Sequence, residues 1–252
     1  MELDVTAIAL LTITGFLAGG INTLAGGGSN LTLPALMMLG MPADVANATN
    51  RIAVLMQCIV GVAGFDKHDS LDRPAIVPIL IPTIAGGLIG AIGAALMPNL
   101  YLKPVLLLTI LTMSVIILVR PSVISPPPGT PTLSPAENKG AWWGLFIAGI
   151  YGGFVQAGVG FILLAALAGG LRYDLVRANA LKMTCALAFT VVAVAVFLYF
   201  GQIRWAPGLI LAIGTMAGAH LAVKFAVSAK PETIKWFLFL MTLVAVAGGF
   251  LI

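Results

Sequence analysis

Apolar residues run in long stretches along this chain, divided by short glycine-rich or polar breaks, and the order of long and short stretches occurs twice. The first series covers residues near 5–25, 29–41, 45–65, 74–97 and 100–120, and the second 141–157, 159–170, 176–200, 207–227 and 234–252. Apolar and polar positions do not alternate with a period of two, so helices rather than a barrel must satisfy the backbone in lipid. A helix needs about 20 residues to cross a hydrocarbon core. The stretches 29–41 and 159–170 fall short of that, and each follows a glycine cluster, Gly26-Gly27-Gly28 or Gly158-Val159-Gly160. Glycines there invite a break in the helix. Each series is predicted to open with an interrupted helical pair followed by three transmembrane helices, and the fold class is all-α.

Individual residues repeat as well. Asn47, in Ala46-Asn47-Ala48, answers Asn179 in Ala178-Asn179-Ala180, and 179 minus 47 is 132. The same spacing joins Gly26 to Gly158, Gly28 to Gly160, Thr83 to Thr215, Gly86 to Gly218 and Lys103 to Lys235, while Gly19-Gly20 meets Gly152-Gly153 one residue out of register. The expected organisation is an N-terminal repeat over 1–120, a Pro-rich linker over 121–140 containing Pro126-Pro127-Pro128, and a C-terminal repeat over 141–252. Two copies of a polytopic unit are a common plan of secondary transporters, with the site between the copies.

Composition places the chain in a membrane: 60% of residues are hydrophobic, 9% are charged and the mean hydropathy is +1.08, and a water-facing surface would need far more charge. Net charge is +4, but with so few charges it bears on topology, and no nucleic-acid partner is expected. If each repeat crosses an odd number of times, one side collects Lys67, Arg73, Arg120, Lys139, Arg172, Arg177, Lys224, Lys230 and Lys235, and the other keeps only Lys103 and Arg204. An even number divides the same residues almost equally. The positive-inside tendency therefore favours two inverted-topology repeats in a multi-pass inner-membrane protein, with a cytoplasmic linker and both termini outside, in the periplasm. The first apolar stretch follows Glu2 and Asp4 with no basic residue before it, so it reads as a retained helix rather than a cleaved signal. Cys58 and Cys185 lie inside apolar runs and read as small buried hydrophobes.

Two clusters carry candidate chemistry. The first is Asn22, Thr23, Gly26, Gly27, Gly28, Ser29 and Asn30, answered by Gln156, Gly158 and Gly160. Glycines at the start of a half-helix let backbone N–H groups face a cavity, where the helix dipole attracts an anion, and Ser29 and Asn30 stand at N-cap positions. Close packing by small residues is the competing account; the amides and hydroxyls beside the glycines favour a site. The second cluster sets Asn47, Asn50 and Arg51 against Asn179 and Lys182, with Lys182 at the register position of Asn50, since 182 minus 50 is 132. A cation inside an apolar helix needs a partner or a ligand, unless it snorkels to the headgroups. Both copies place one beside the same Asn and no acidic residue shares its depth, Asp44 and Asp174 reading as loop or N-cap residues. That pattern implies an anionic ligand. His68 reads as part of a solvated turn, His220 as a hydrogen-bonded structural histidine, and the tryptophans as interfacial anchors. No His/Cys metal spacing, Walker loop or nucleophile elbow is present, so no catalytic residue, cofactor or metal is expected.

The run Gly19-Gly20, Gly26-Gly27-Gly28, Leu33-Pro34-Ala35-Leu36 and Ala46-Asn47-Ala48-Thr49-Asn50 resembles the TauE/SafE family of anion permeases, also called the sulfite exporter family, and the likeness covers nearly the whole chain. The resemblance implies transport of sulfur oxyanions or organosulfonates such as sulfite, sulfoacetate or an aryl sulfonate, outward or inward, by a monomer or homodimer in the bilayer. A group with three oxygens and negative charge suits two cations and several amides. Arg51 is expected to hold two oxygens and Lys182 to act as a point charge, with the halves rocking in alternating access. A carboxylate or another inorganic anion is the rival cargo, and a non-transporting assembly subunit the rival class.

Overall fold

A computed structural model describes residues 3–119 and 130–229. The last apolar stretch from residue 230 on, with Lys230 and Lys235, and Arg120 with linker residues 121–129, including Pro126-Pro127-Pro128, lie outside them. The elements are α1 (Val5–Leu24), α2 (Ser29–Met38), α3 (Ala43–Lys67), α4 (Arg73–Leu96), α5 (Asn99–Val119), α6 (Lys139–Phe154), α7 (Val159–Leu164) running into a π-helical turn (Ala165–Gly170), α8 (Leu175–Tyr199) and α9 (Trp205–Ser228). All described regular structure is helical, and both halves begin with a helix, a break and a short helix.

Local chemistry sets the boundaries. Asp4 accepts from the Ala7 N–H at 2.8 Å, Asn138 from Ala141 at 3.2 Å, and Asp174 from Val176 and Arg177 at 3.0 Å, which satisfies N-terminal donors of α1, α6 and α8. At the breaks the backbone enters the left-handed region at Gly26 (φ 104°), Gln156 (φ 69°) and Gly158 (φ 77°). Glycine adopts that conformation freely, whereas at Gln156 it is a strained choice that the surroundings must hold.

The halves are bound by two seams of small residues. In one, Gly15 and Gly19 of α1 lie against Leu211 and Thr215 of α9, while Gly214 and Gly218 of α9 lie against Thr12 and Phe16 of α1; a Cβ on any of these glycines would strike the facing backbone. In the other, Gly86 and Gly90 of α4 meet Phe146 and Ile150 of α6, and Gly149 and Gly153 of α6 meet Thr83 and Gly87 of α4. All four pairs of glycines are four apart, the spacing that lets helices approach closely in lipid, where apolar burial gives no driving force between them.

Residue order in these contacts gives helix direction. Contacts along each seam ascend together, so α1 runs with α9 and α4 with α6. The core between α3 and α8 descends instead: Ala48 and Ile52 cluster with Ala193 and Phe197, and Gly61 faces Met183. With short connections reversing α3 into α4 and α8 into α9, α1 and α6 point in opposite senses.

Candidate functional site

Arg51 and Lys182 are 0% and 2% exposed. Neither snorkels. Each reaches across to the other half and takes the end of its interrupted helix. Arg51 Nη1 donates to the Gly152 carbonyl and to Gln156 Oε1, both at 2.5 Å; Nη2 donates to the carbonyls of Gly153 at 2.9 Å and Phe154 at 3.2 Å, and to Asn47 Oδ1 at 3.3 Å. Lys182 Nζ donates to the carbonyls of Asn22 at 3.0 Å and Thr23 at 2.8 Å, and to Asn179 Oδ1 at 2.7 Å. These carbonyls close α6 and α1. The last carbonyls of a helix have no partner within it and carry the negative end of its dipole, so each cation answers an electrostatic need of the opposite half.

The paired asparagines orient the cations. Asn47 Nδ2 donates to the Phe154 carbonyl at 2.8 Å and Asn179 Nδ2 to the Leu175 carbonyl at 2.9 Å, which leaves each Oδ1 to its cation. Asn50 instead fastens α2 to α3, because its Oδ1 accepts from Thr32 at 2.7 Å and its Nδ2 donates to Ser29 Oγ at 3.1 Å. Thr23 Oγ1 turns back to the Gly19 carbonyl at 2.8 Å.

The two breaks touch at the centre. A Cβ on Gly26 would collide with the backbone of Gly160, and one on Gly160 with that of Gly26. Beside this contact lies a cavity with about 10 Å³ open to the centre of a water molecule, bordered by Asn22, Gly26, Gln156, Gly160 and Lys182 among others. That is room for about one water. Gln156 joins the regions of the two cations, since it borders this cavity, accepts from Arg51, and donates through Nε2 to Thr190 Oγ1 at 3.3 Å.

Every candidate residue is buried, but they do not form one ring around the cavity. Asn22, Gly26, Gln156, Gly160 and Lys182 line it; Asn50 and Ser29 bind each other aside from it. Ser29 and Asn30 are not N-caps: Gly28 holds that position without a side-chain bond, and Ser29 opens the helix. His220 is exposed on α9, not built into a hydrogen-bonded core. Thr32 and Thr190 are hydrogen-bond partners of the candidate residues Asn50 and Gln156 that the sequence does not single out. Their signal is register, Thr32 lying one turn beyond Ser29 and Thr190 two turns beyond Lys182 on the same helix face.

Among the described residues five helices, α1, α3, α4, α8 and α9, are long and apolar enough to cross a membrane. Such a bundle, with cations buried where interrupted helices meet at its middle, defines a polytopic membrane transport protein. The chain belongs to the Sulfite exporter TauE/SafE family, whose model matches residues 11–248. It is 27% identical to a "Probable membrane transporter protein" of Haemophilus influenzae over 98% of this chain and 96% of the relative. It is 24% identical to "Probable membrane transporter protein ORF9" of a Sinorhizobium species, over 94% of this chain and 89% of that one. Against "Probable membrane transporter protein YfcA" of Escherichia coli K12 the identity is 23%, over 90% and 84%. No solved structure matches significantly.

Proposed function

We propose that this protein is a secondary transporter that moves small anions, sulfite or a small organosulfonate, across the inner membrane by alternating access between two inverted repeats. The observation that carries the reading is two buried cations facing only neutral groups. Among the described residues the ion pairs are Arg73–Asp66 and Arg177–Asp72, both at loops, and no carboxylate reaches Arg51 or Lys182. Two helix C-termini contribute roughly −0.5 charge each, so a surplus of about +1 is left in a low-dielectric interior. A monoanion cancels it. The breaks at Gly26 and Gly160 put that surplus where the halves cross, and movement of one half against the other exposes it to alternate sides.

Opposed directions of α1 and α6 support the inverted arrangement. So does the bond at 3.0 Å between Arg177 and Asp72, which sets the α3–α4 connection and the start of α8 on one face, as odd crossing numbers require. The test is uptake into proteoliposomes, comparing sulfite, sulfoacetate, an aryl sulfonate and acetate. Saturable uptake of a sulfur oxyanion is expected. Preference for acetate would change the cargo, and recognition of a cation with no anion would end the reading.

A further inference from the structure

The cations supply charge, yet their donors are already committed: all three Lys182 protons go to oxygens of α1 and Asn179, and of the Arg51 N–H groups only Nε lacks a partner. An oxyanion between the halves needs donors from elsewhere. Asn30 is 0% exposed, and neither its Nδ2 nor its Oδ1 has a hydrogen-bond partner. A buried amide left unpaired at both ends is costly and rare, and it calls for an explanation.

Asn30 is the second residue of α2, and its Nδ2 lies 4.0 Å from where a Cβ on Gly27 would sit, so the amide turns back over the glycine turn. There the N–H groups of Gly27, Gly28 and Ser29 donate to nothing among the described residues. The three glycines differ in what holds them. Gly26 and Gly28 are confined by backbone, the former against Gly160 and the latter against the Ala18 carbonyl, whereas a Cβ on Gly27 would meet only Phe161 at 3.4 Å, Ile21 at 3.9 Å and the Asn30 amide. Packing does not require a glycine at 27. What its missing side chain leaves is room for about one methyl group beside the unpaired Asn30 amide, closed over by Phe161 from the other half and by Ile21.

Resting on the transport reading above, we infer that the Gly27–Ser29 N–H groups and the Asn30 amide are the seat of the transported anion's oxygens and that Asn30 determines which anion is taken. Arg51 and Lys182 act through their field and by holding the helix ends, without touching the cargo. The seat is one-sided, built by the first half and covered by the second, so relative motion of the halves opens it.

The test uses the full chain in proteoliposomes, with sulfite and methanesulfonate as probes, comparing wild type, Asn30→Leu and Gly27→Ala. Removing a hydrogen bond to an anion raises KM by about tenfold or more, and that is expected for Asn30→Leu. Its melting temperature in detergent should equal or exceed that of wild type, because an orphaned polar group has been replaced by an apolar one. Gly27→Ala should fold normally and likewise bind more weakly. Wild-type KM values in both variants overturn the seat while leaving anion transport intact, as does a melting temperature of Asn30→Leu that falls together with its affinity. Failure of wild type to carry either probe overturns the anion reading beneath it.

Discussion

Replacing Lys182 by Met tests whether the lysine is a strut between the halves. Met keeps the apolar stem and removes three hydrogen bonds at 3.0, 2.8 and 2.7 Å. It leaves the carbonyls of Asn22 and Thr23 and the Asn179 amide oxygen buried without those donors. An orphaned acceptor costs about 1–3 kcal/mol, so the gross loss is about 3–9 kcal/mol. Against it stands the desolvation of the ammonium, several kcal/mol in a real interior, which Met avoids. Taking the middle of that loss, about 6 kcal/mol, against about 3 kcal/mol of desolvation leaves a net destabilisation of about 3 kcal/mol, and at about 2–4 °C per kcal/mol for a chain of this size the melting temperature falls by about 6–12 °C. A thermal scan of the detergent-solubilised protein measures this, and hydrogen exchange should show the end of α1 opening first. If Lys182→Met melts within a degree of wild type and the Asn22 and Thr23 region exchanges no faster, the lysine bears no strain between the halves.

Gly26→Ala and Gly160→Ala should each prevent accumulation of folded protein, because backbone faces backbone and nothing can yield, whereas Gly169→Ala, with open space at its Cβ, should express normally; yield after size-exclusion chromatography separates them. Arg51→Lys should lower thermal stability, since one ammonium cannot serve the five acceptors that Arg51 now reaches. Tyr173 donates to Asp72 at 3.0 Å, and burial, with help from that carboxylate, raises its hydroxyl from 10.0 to about 12. Because the folded state holds this proton more tightly, the contribution is complete below about pH 10 and fades as pH climbs through about 12. Wild type should therefore lose more of its melting temperature across that range than Tyr173→Phe does, and equal losses would remove Tyr173 from the account.

Much of the architecture is legible in the sequence because membrane helices announce themselves by length. The broken pairs are legible because Gly26 and Gly158 sit where only glycine goes easily, and the two short stretches after them emerge as α2 and as α7 with its π-helical turn. The partners of the cations are not legible. Arg51 finds its carbonyls 101 to 103 residues away, and carbonyls have no side-chain signature, so a sequence shows the charge and not what answers it. The N-cap of α2 misleads for a related reason. Ser29 has the right chemistry for a cap, but its hydroxyl is claimed by Asn50, and Gly28 can start a helix without one. For His220 the apolar neighbours suggest burial, whereas on a lipid-facing helix apolar neighbours mark the outside.

The reach of Lys182 also has a history in time. Thr23 waits for a donor that lies 159 residues further along the chain, and a ribosome adding about 5–20 residues per second needs about 8–32 s to deliver it. Until then the first half has α1 without its Lys182 donor and both glycine seams unmatched. Synthesis of the second half is what ends that exposure, so a ribosome stalled in the linker would strand a fragment whose Asn22 and Thr23 carbonyls lack their donor.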